Sequence, residues 1–282
     1  MATVGGAAET SSIIHIRPTT GWNALNLHEL WEYRELLVFL AWREIQGTYR
    51  QTALGMSWLF IRPIVSILVM TITFGVVINV PSDGAPYPLF AAAGLLPWGY
   101  FSASVLRSSG SLVSNMHIIS KVYVPRLVFP ISTILSGLVD LAASSAVFIC
   151  LLMLYRLPLR PQVIVLPGFV LVAMLVALTF GLWSASLSVR YRDVAFAMAF
   201  LLQAMMYASP VIYPLNMVPP QLLPLYVLNP MTGVIQGFRW ALLGSNEAPG
   251  KYFVLSIGLT IGFLIVGAFL VRRTERTMVD NL

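Results

Sequence analysis

Groups able to do chemistry are scarce in this chain, and their spacing rules out more than it permits. The lysines, Lys121 and Lys251, precede Val122 and Tyr252, so no glycine-rich loop ends in Lys-Ser or Lys-Thr to cradle a nucleotide phosphate. His15, His28 and His117 are too far apart to form a metal pair on one helix face. Cys150 is the single cysteine, which excludes an intrachain disulfide and a cysteine zinc set. A nucleophile elbow of the Gly-x-Ser-x-Gly type is missing as well. Asp140 lies deep in an apolar run, where a carboxylate is a candidate proton relay. A relay needs further titratable groups at depth, and no other run supplies one. The alternative is that Asp140 hydrogen-bonds Ser or Thr hydroxyls of a neighbouring helix. Arg50 and Arg62 offer guanidinium groups that either pair with a diphosphate or anchor to lipid headgroups.

The segment Ser114 to Pro130 is half-polar and sits between two long apolar runs, Gly84 to Leu106 and Leu127 to Tyr155. Lipid suits it poorly, so it is expected to meet a partner outside the bilayer. Asn115, His117 and Lys121 present polar groups to such a partner, and Ile118, Ile119 and Val122 an apolar face. Pro125 breaks the helix before the next apolar run.

These residues must be positioned by membrane-spanning helices. Hydrophobic residues make up 58% of the 282 and charged residues 10%; soluble domains average about 45–50% and about 25%. The net charge of +6 falls mainly at the ends of apolar runs, which points to topology rather than nucleic acid. A span needs about 20 apolar residues, and six are read near residues 57–79, 88–111, 127–155, 163–187, 194–213 and 253–271. Prolines 214, 219, 220, 224 and 230 break the uncharged stretch after the fifth span into short helices that dip into the outer interface. With the N-terminus inside, the inner segments hold most arginines, including Arg34, Arg43, Arg107, Arg126, Arg190, Arg192, Arg272 and Arg273. The outer segments hold Arg156, Arg160, Arg239 and Lys251. A seventh span would reverse this bias, so both termini are expected in the cytoplasm.

Residues 1–26 read as a flexible cytoplasmic tail without a signal peptide, and residues 27–282 as one transmembrane domain. Leu27, Leu30, Trp31, Leu37, Val38, Ala41, Trp42 and Ile45 cluster on one side at helical spacing, predicting an amphipathic interface helix over 27–46. Trp98, Tyr100, Phe101, Tyr207 and Tyr213, with Tyr226 and Trp240, gather toward the outer halves of the spans. They form either an interfacial belt or the wall of a pathway on which sugar rings stack.

Several stretches together resemble the membrane subunit of ABC-2 type exporters of polysaccharides and polyol phosphates, which move O-antigen, capsule or teichoic acid. They are Tyr49–Trp58 with Pro63, Leu96-Pro97-Trp98, Ser114–Pro130, Val189–Asp193, Tyr207–Tyr213, and Leu228-Asn229-Pro230 with Arg239. The resemblance runs over nearly residues 29–271. It implies an all-α integral membrane protein with six spans, an interface helix, a cytoplasmic coupling helix at 114–125 and short re-entrant outer helices between spans five and six. It also implies a homodimer in the bacterial inner membrane with two copies of a separate ATPase, which would hold the ATP and magnesium; this chain itself holds no metal or cofactor. Asn115, His117, Ile118, Ile119 and Lys121, with Arg190, Arg192 and Asp193, are then the ATPase contacts. Trp42, Arg50 and Arg62 lie where the head of a lipid-linked polysaccharide would approach. Two rivals are an ABC-2 exporter of a small drug or lipid, and a membrane-embedded glycan transferase. The transferase should carry several acids on its outer loops, which here hold Asp83 and Glu247.

Overall fold

The computed structural model describes residues 27–50, 52–122, 124–244 and 248–279. The expected N-terminal tail lies outside the described residues, which are helical throughout their regular structure. In chain order the helices are α1 (Leu27–Glu32), α2 (Arg34–Tyr49), α3 (Trp58–Met70), α4 (Tyr87–Ser114), α5 (Met116–Ile119) and α6 (Val128–Leu154). They continue with α7 (Leu166–Arg190), α8 (Val194–Tyr207), α9 (Leu223–Leu228), α10 (Pro230–Leu243) and α11 (Lys251–Val279). Five stretches are long and apolar enough to cross a membrane: Gly55–Val77, Tyr87–Ser114, Val128–Leu154, Pro161–Arg190 and Lys251–Val271. The fifth predicted span, 194–213, is helical only over α8. Its 14 residues reach about 21 Å at 1.5 Å per residue, short of a ~30 Å hydrocarbon core. The helix ends at Tyr207, just ahead of Ser209-Pro210.

Helix α4 is the hub. It packs on α6, α7 and α10, and 72% of its most apolar window is buried. Close packing follows from small residues rather than large ones. A Cβ on Gly137 of α6 would fall 2.3 Å from the Ser104 hydroxyl, and one on Gly181 of α7 would fall 2.6 Å from that of Ser108. Leu89, Phe101 and Val105 of α4, Val176 and Ala177 of α7, and Val234, Ile235 and Phe238 of α10 fill the interior. The first span is the opposite case. Only 6% of its window is buried, and Ile64, Leu68, Ile72, Val76 and Val77 stand exposed. Its last turns, Thr71–Val77, are wound as a π-helix, and Ile78 donates its N–H to the carbonyl of Thr73.

The expected interface helix differs in two ways. It breaks at Tyr33, and its second piece continues to Tyr49. Its apolar residues also divide between two faces. Leu40, Ala41, Ile45 and Tyr49 are buried, with α2 lying along α6, whereas Trp31, Val38, Phe39 and Trp42 are exposed. A single apolar stripe could not have shown that one edge serves protein and the other faces outward.

Candidate functional site

Three places gather the residues singled out above. The first is a polar node where α2, α4 and α6 meet. The Tyr49 hydroxyl donates to Asp140 Oδ1 at 2.6 Å, and Arg107 Nη1 donates to Asp140 Oδ2 at 2.8 Å. Arg107 and Asp140 are 17% and 22% exposed, so the ion pair is largely shielded. Burial, followed by the bond to Asp140, pushes the Tyr49 phenol up to about 12, so it stays protonated and keeps donating at neutral pH. This corrects two expectations. Asp140 is held by an arginine and a tyrosine rather than by Ser or Thr hydroxyls. Arg107, counted among the inner-loop cations, belongs to span helix α4. Beside the node lies a cavity of about 180 Å³ lined by Trp58, Arg62, Ser66, Tyr100 and Ser144 together with Tyr49 and Asp140. Of the three expected headgroup residues, Arg62 lines it. Arg50 and Trp42 are exposed on α2 and beyond its end, and neither lines this cavity.

The second place is the turn between α4 and α6. Here the half-polar segment folds into the single turn α5, with Ile118 and Ile119 donating their N–H groups to the Asn115 carbonyl. Asn115 is buried, and both ends of its side chain are engaged within the chain. Its Oδ1 accepts from Arg43 Nη2 of α2, and its Nδ2 donates to the Ser111 carbonyl at 2.8 Å. It therefore organises the turn instead of offering a donor outward. Ile118 and Ile119 are half-buried against a cluster that includes Leu112, Leu127 and Phe129. The outward surface consists of His117, Ser120, Lys121 and Val122, all exposed. Arg190, Arg192 and Asp193 are also exposed, at the α7–α8 turn, with Arg190 stacked 5.4 Å over the Tyr191 ring.

The third place is a knot at the other end of the bundle. Asn229 caps α10 by accepting from the Met231 N–H at 3.0 Å, Pro230 takes the first helical position, and Gly244 ends the helix with φ of 71°. This holds Arg239 over the Phe90 ring, 3.6 Å from its centroid. The guanidinium donates to the carbonyls of Pro210 at 2.7 Å, Val211 at 2.6 Å and Tyr213 at 3.3 Å, acceptors freed when α8 breaks. The Tyr87 hydroxyl donates to the Ile212 carbonyl at 2.8 Å, and the Tyr213 and Tyr226 hydroxyls lie 2.7 Å apart. Gly94 makes room for this contact: a Cβ there would fall 2.6 Å from the Val211 carbonyl oxygen, which is backbone. Gly94→Ala is expected to cost about 2 kcal/mol by analogy with overpacked cores, read as a lower melting temperature of the purified protein in detergent. An unchanged melt would mean that α4 and the 209–213 turn sit less tightly than drawn.

The aromatic residues separate by the same logic. Trp98 and Phe101 are 4% and 0% exposed within the helix core, so in this chain they wall no pathway. Tyr100 is buried too, but its ring reaches the cavity. Tyr207 is exposed, and Tyr213 is half-buried with its hydroxyl tied to the Tyr207 carbonyl.

The ABC-2 type transporter profile matches residues 35–243, about three-quarters of the chain. The chain belongs to the ABC-2 type transporter family. The matched region of this ABC-2 protein runs from α2 through α10 and contains all three places. The chain is 30% identical over 217 residues to the O-antigen export system permease protein RfbA of Myxococcus xanthus, covering 76% of this chain and 82% of that one. A protein of the same name from Klebsiella pneumoniae is 27% identical, covering 82% and 88%. The polysialic acid transport protein KpsM of Escherichia coli is 24% identical, covering 85% and 93%. Among the residues of this ABC-2 chain, sequence reasoning passed over Arg43 and Tyr49 as functional partners. Arg43 was read as an inner-segment cation on the polar side of the interface helix, and Tyr49 as the start of the Tyr49–Trp58 stretch.

Proposed function

We propose that this chain is the permease subunit of an ATP-driven exporter that carries a lipid-linked polysaccharide across the bacterial inner membrane. The observation that carries the reading is its similarity, over four-fifths of their length or more, to permeases named for O-antigen export and polysialic acid transport. The active unit is a homodimer bound to two copies of a separate ATPase, which supplies the ATP and magnesium. Two exposed apolar surfaces support the dimer: the first span, and α8 with Phe196 and Phe200 outward, which are 81% and 75% exposed. Six passes are completed by α8 together with the segment to Tyr213, and both termini lie in the cytoplasm. The surface of His117, Ser120, Lys121 and Val122, with Arg190, Arg192 and Asp193, rests on the ATPase. Arg62 and its cavity receive the head of the substrate, with Arg50 and Trp42 at the membrane surface beside it.

The surface facing the ATPase yields the test. Ile118 is a poor probe, because it also packs inward. Reversing the exposed charge with His117→Glu and Lys121→Glu together is expected to cut glycan export at least tenfold at unchanged melting temperature. Export measured at the cell surface, with the ATPase co-purified through the permease, checks this. Normal export by the double variant would remove this surface from the coupling path. Turnover of a glycan substrate by the purified chain without any ATPase would overturn the exporter reading.

A further inference from the structure

The polar node and the coupling turn are joined twice, and the two joins close a ring. Along α2, Arg43 and Tyr49 are six residues apart, about 9 Å at the helical rise. Along α4 and its cap, Arg107 and Asn115 are eight residues apart, about 12 Å by the same measure. At one end Arg43 donates to Asn115. At the other, Tyr49 and Arg107 donate to the two oxygens of one carboxylate, Asp140 of α6. Two helices therefore form the long sides of a frame, and hydrogen-bonded side chains form its ends. The α2 side is not slack, since Leu40, Ala41 and Ile45 are buried where α2 lies along α6. One end of the frame is the N-cap of α5, so a push on residues 117–122 reaches it directly. The other end is a wall of the cavity, to which Tyr49 and Asp140 both contribute.

We infer that Arg43, Asn115, Tyr49, Asp140 and Arg107 are positioning residues that act as one closed frame, through which displacement of the coupling turn changes the shape of the cavity. The inference rests on the proposed contact between that turn and an ATPase. Each single bond is a small contribution; closure is what matters. A ring opened at one end no longer transmits, and opening the other end removes little more. Independent polar contacts behave differently. Sites more than about 7–10 Å apart with no shared partner contribute additively in free energy, so their defects multiply in rate.

The experiment compares Tyr49→Phe, Asn115→Ala and the double variant in cells exporting glycan through this permease and its ATPase. Surface glycan, ATP hydrolysis by the purified complex, permease abundance and melting temperature are all read. Each single variant is expected to lower export about tenfold, with the double within about twofold of the worse single; independent contacts would give about a hundredfold loss. ATP hydrolysed per glycan exported should rise in all three at little-changed melting temperature, which a purely structural defect would not produce. If Asn115→Ala lowers abundance, Arg43→Gln weakens the same bond from its other side. Multiplied defects, or wild-type export by either single variant, would overturn the frame. With His117→Glu/Lys121→Glu still defective, that result leaves the coupling surface standing; normal export by that pair sinks the surface itself, and the frame with it.

Discussion

Arg239→Ala is expected to leave little folded protein. The substitution removes a buried guanidinium that satisfies the carbonyls of Pro210, Val211 and Tyr213. A buried polar group left unpaired costs about 1–3 kcal/mol, and three acceptors are involved, so a loss of about 4 kcal/mol is a conservative figure. Against the ~5–15 kcal/mol that holds a typical domain together, this is a large fraction. Arg239→Lys keeps the charge but loses the fork, and one ammonium cannot serve three acceptors spread over the turn. It should recover less than half of the lost stability. Thermal melting in detergent, with abundance in the membrane fraction, reads both variants. A lysine variant melting with the wild type would show that charge rather than geometry fixes the turn.

The second large effect is expected at Asp140. Asp140→Ala strands the Arg107 guanidinium, whose Nη2 and Nε already have no hydrogen-bond partner. Removing one partner of a buried pair typically costs about 3–5 kcal/mol, whereas replacing both by apolar side chains is often neutral. Asp140→Ala combined with Arg107→Met should therefore recover most of the melting temperature that Asp140→Ala alone loses. Export should stay low in both, because the carboxylate that gathers α2, α4 and α6 is gone. Full export by the recovered double variant would reduce the pair to a packing accident. Equal melting of Asp140→Ala and the double variant would show that the unpaired Arg107 guanidinium costs nothing.

Much of the frame of the protein was legible because lipid imposes it. The long apolar runs follow from the rule that a backbone in lipid must satisfy itself. Side-chain partners were not legible. Asp140 finds Tyr49 from 91 residues away and Arg107 from 33, and no local pattern encodes either distance. The same limit explains Trp98 and Phe101. In a chain this apolar, an aromatic facing a pore and one facing a neighbouring helix share one sequence signature, and both residues prove to be core. Ile118 and Asn115 were assigned outward because the segment is half-polar. The structure turns them inward and leaves His117, Lys121 and Val122 outside. The fifth predicted span is helical over a shorter stretch than read, Val194–Tyr207, because apolar length alone does not show where a helix ends.

The brevity of α5 bears on how the proposed contact with an ATPase could be blocked. Four helical residues cannot hold together in water, since isolated helices shorter than about 12–15 residues are marginal. Excised as a peptide, residues 114–125 would lose the Arg43 bond and the packing of Ile118 and Ile119, and with them the shape a partner recognises. The entropy of ordering that loop has been met in advance by the rest of the bundle. A short linear mimic should therefore be a weak competitor. An inhibitor of this contact would need a scaffold that holds two helix ends apart and stitches the turn between them.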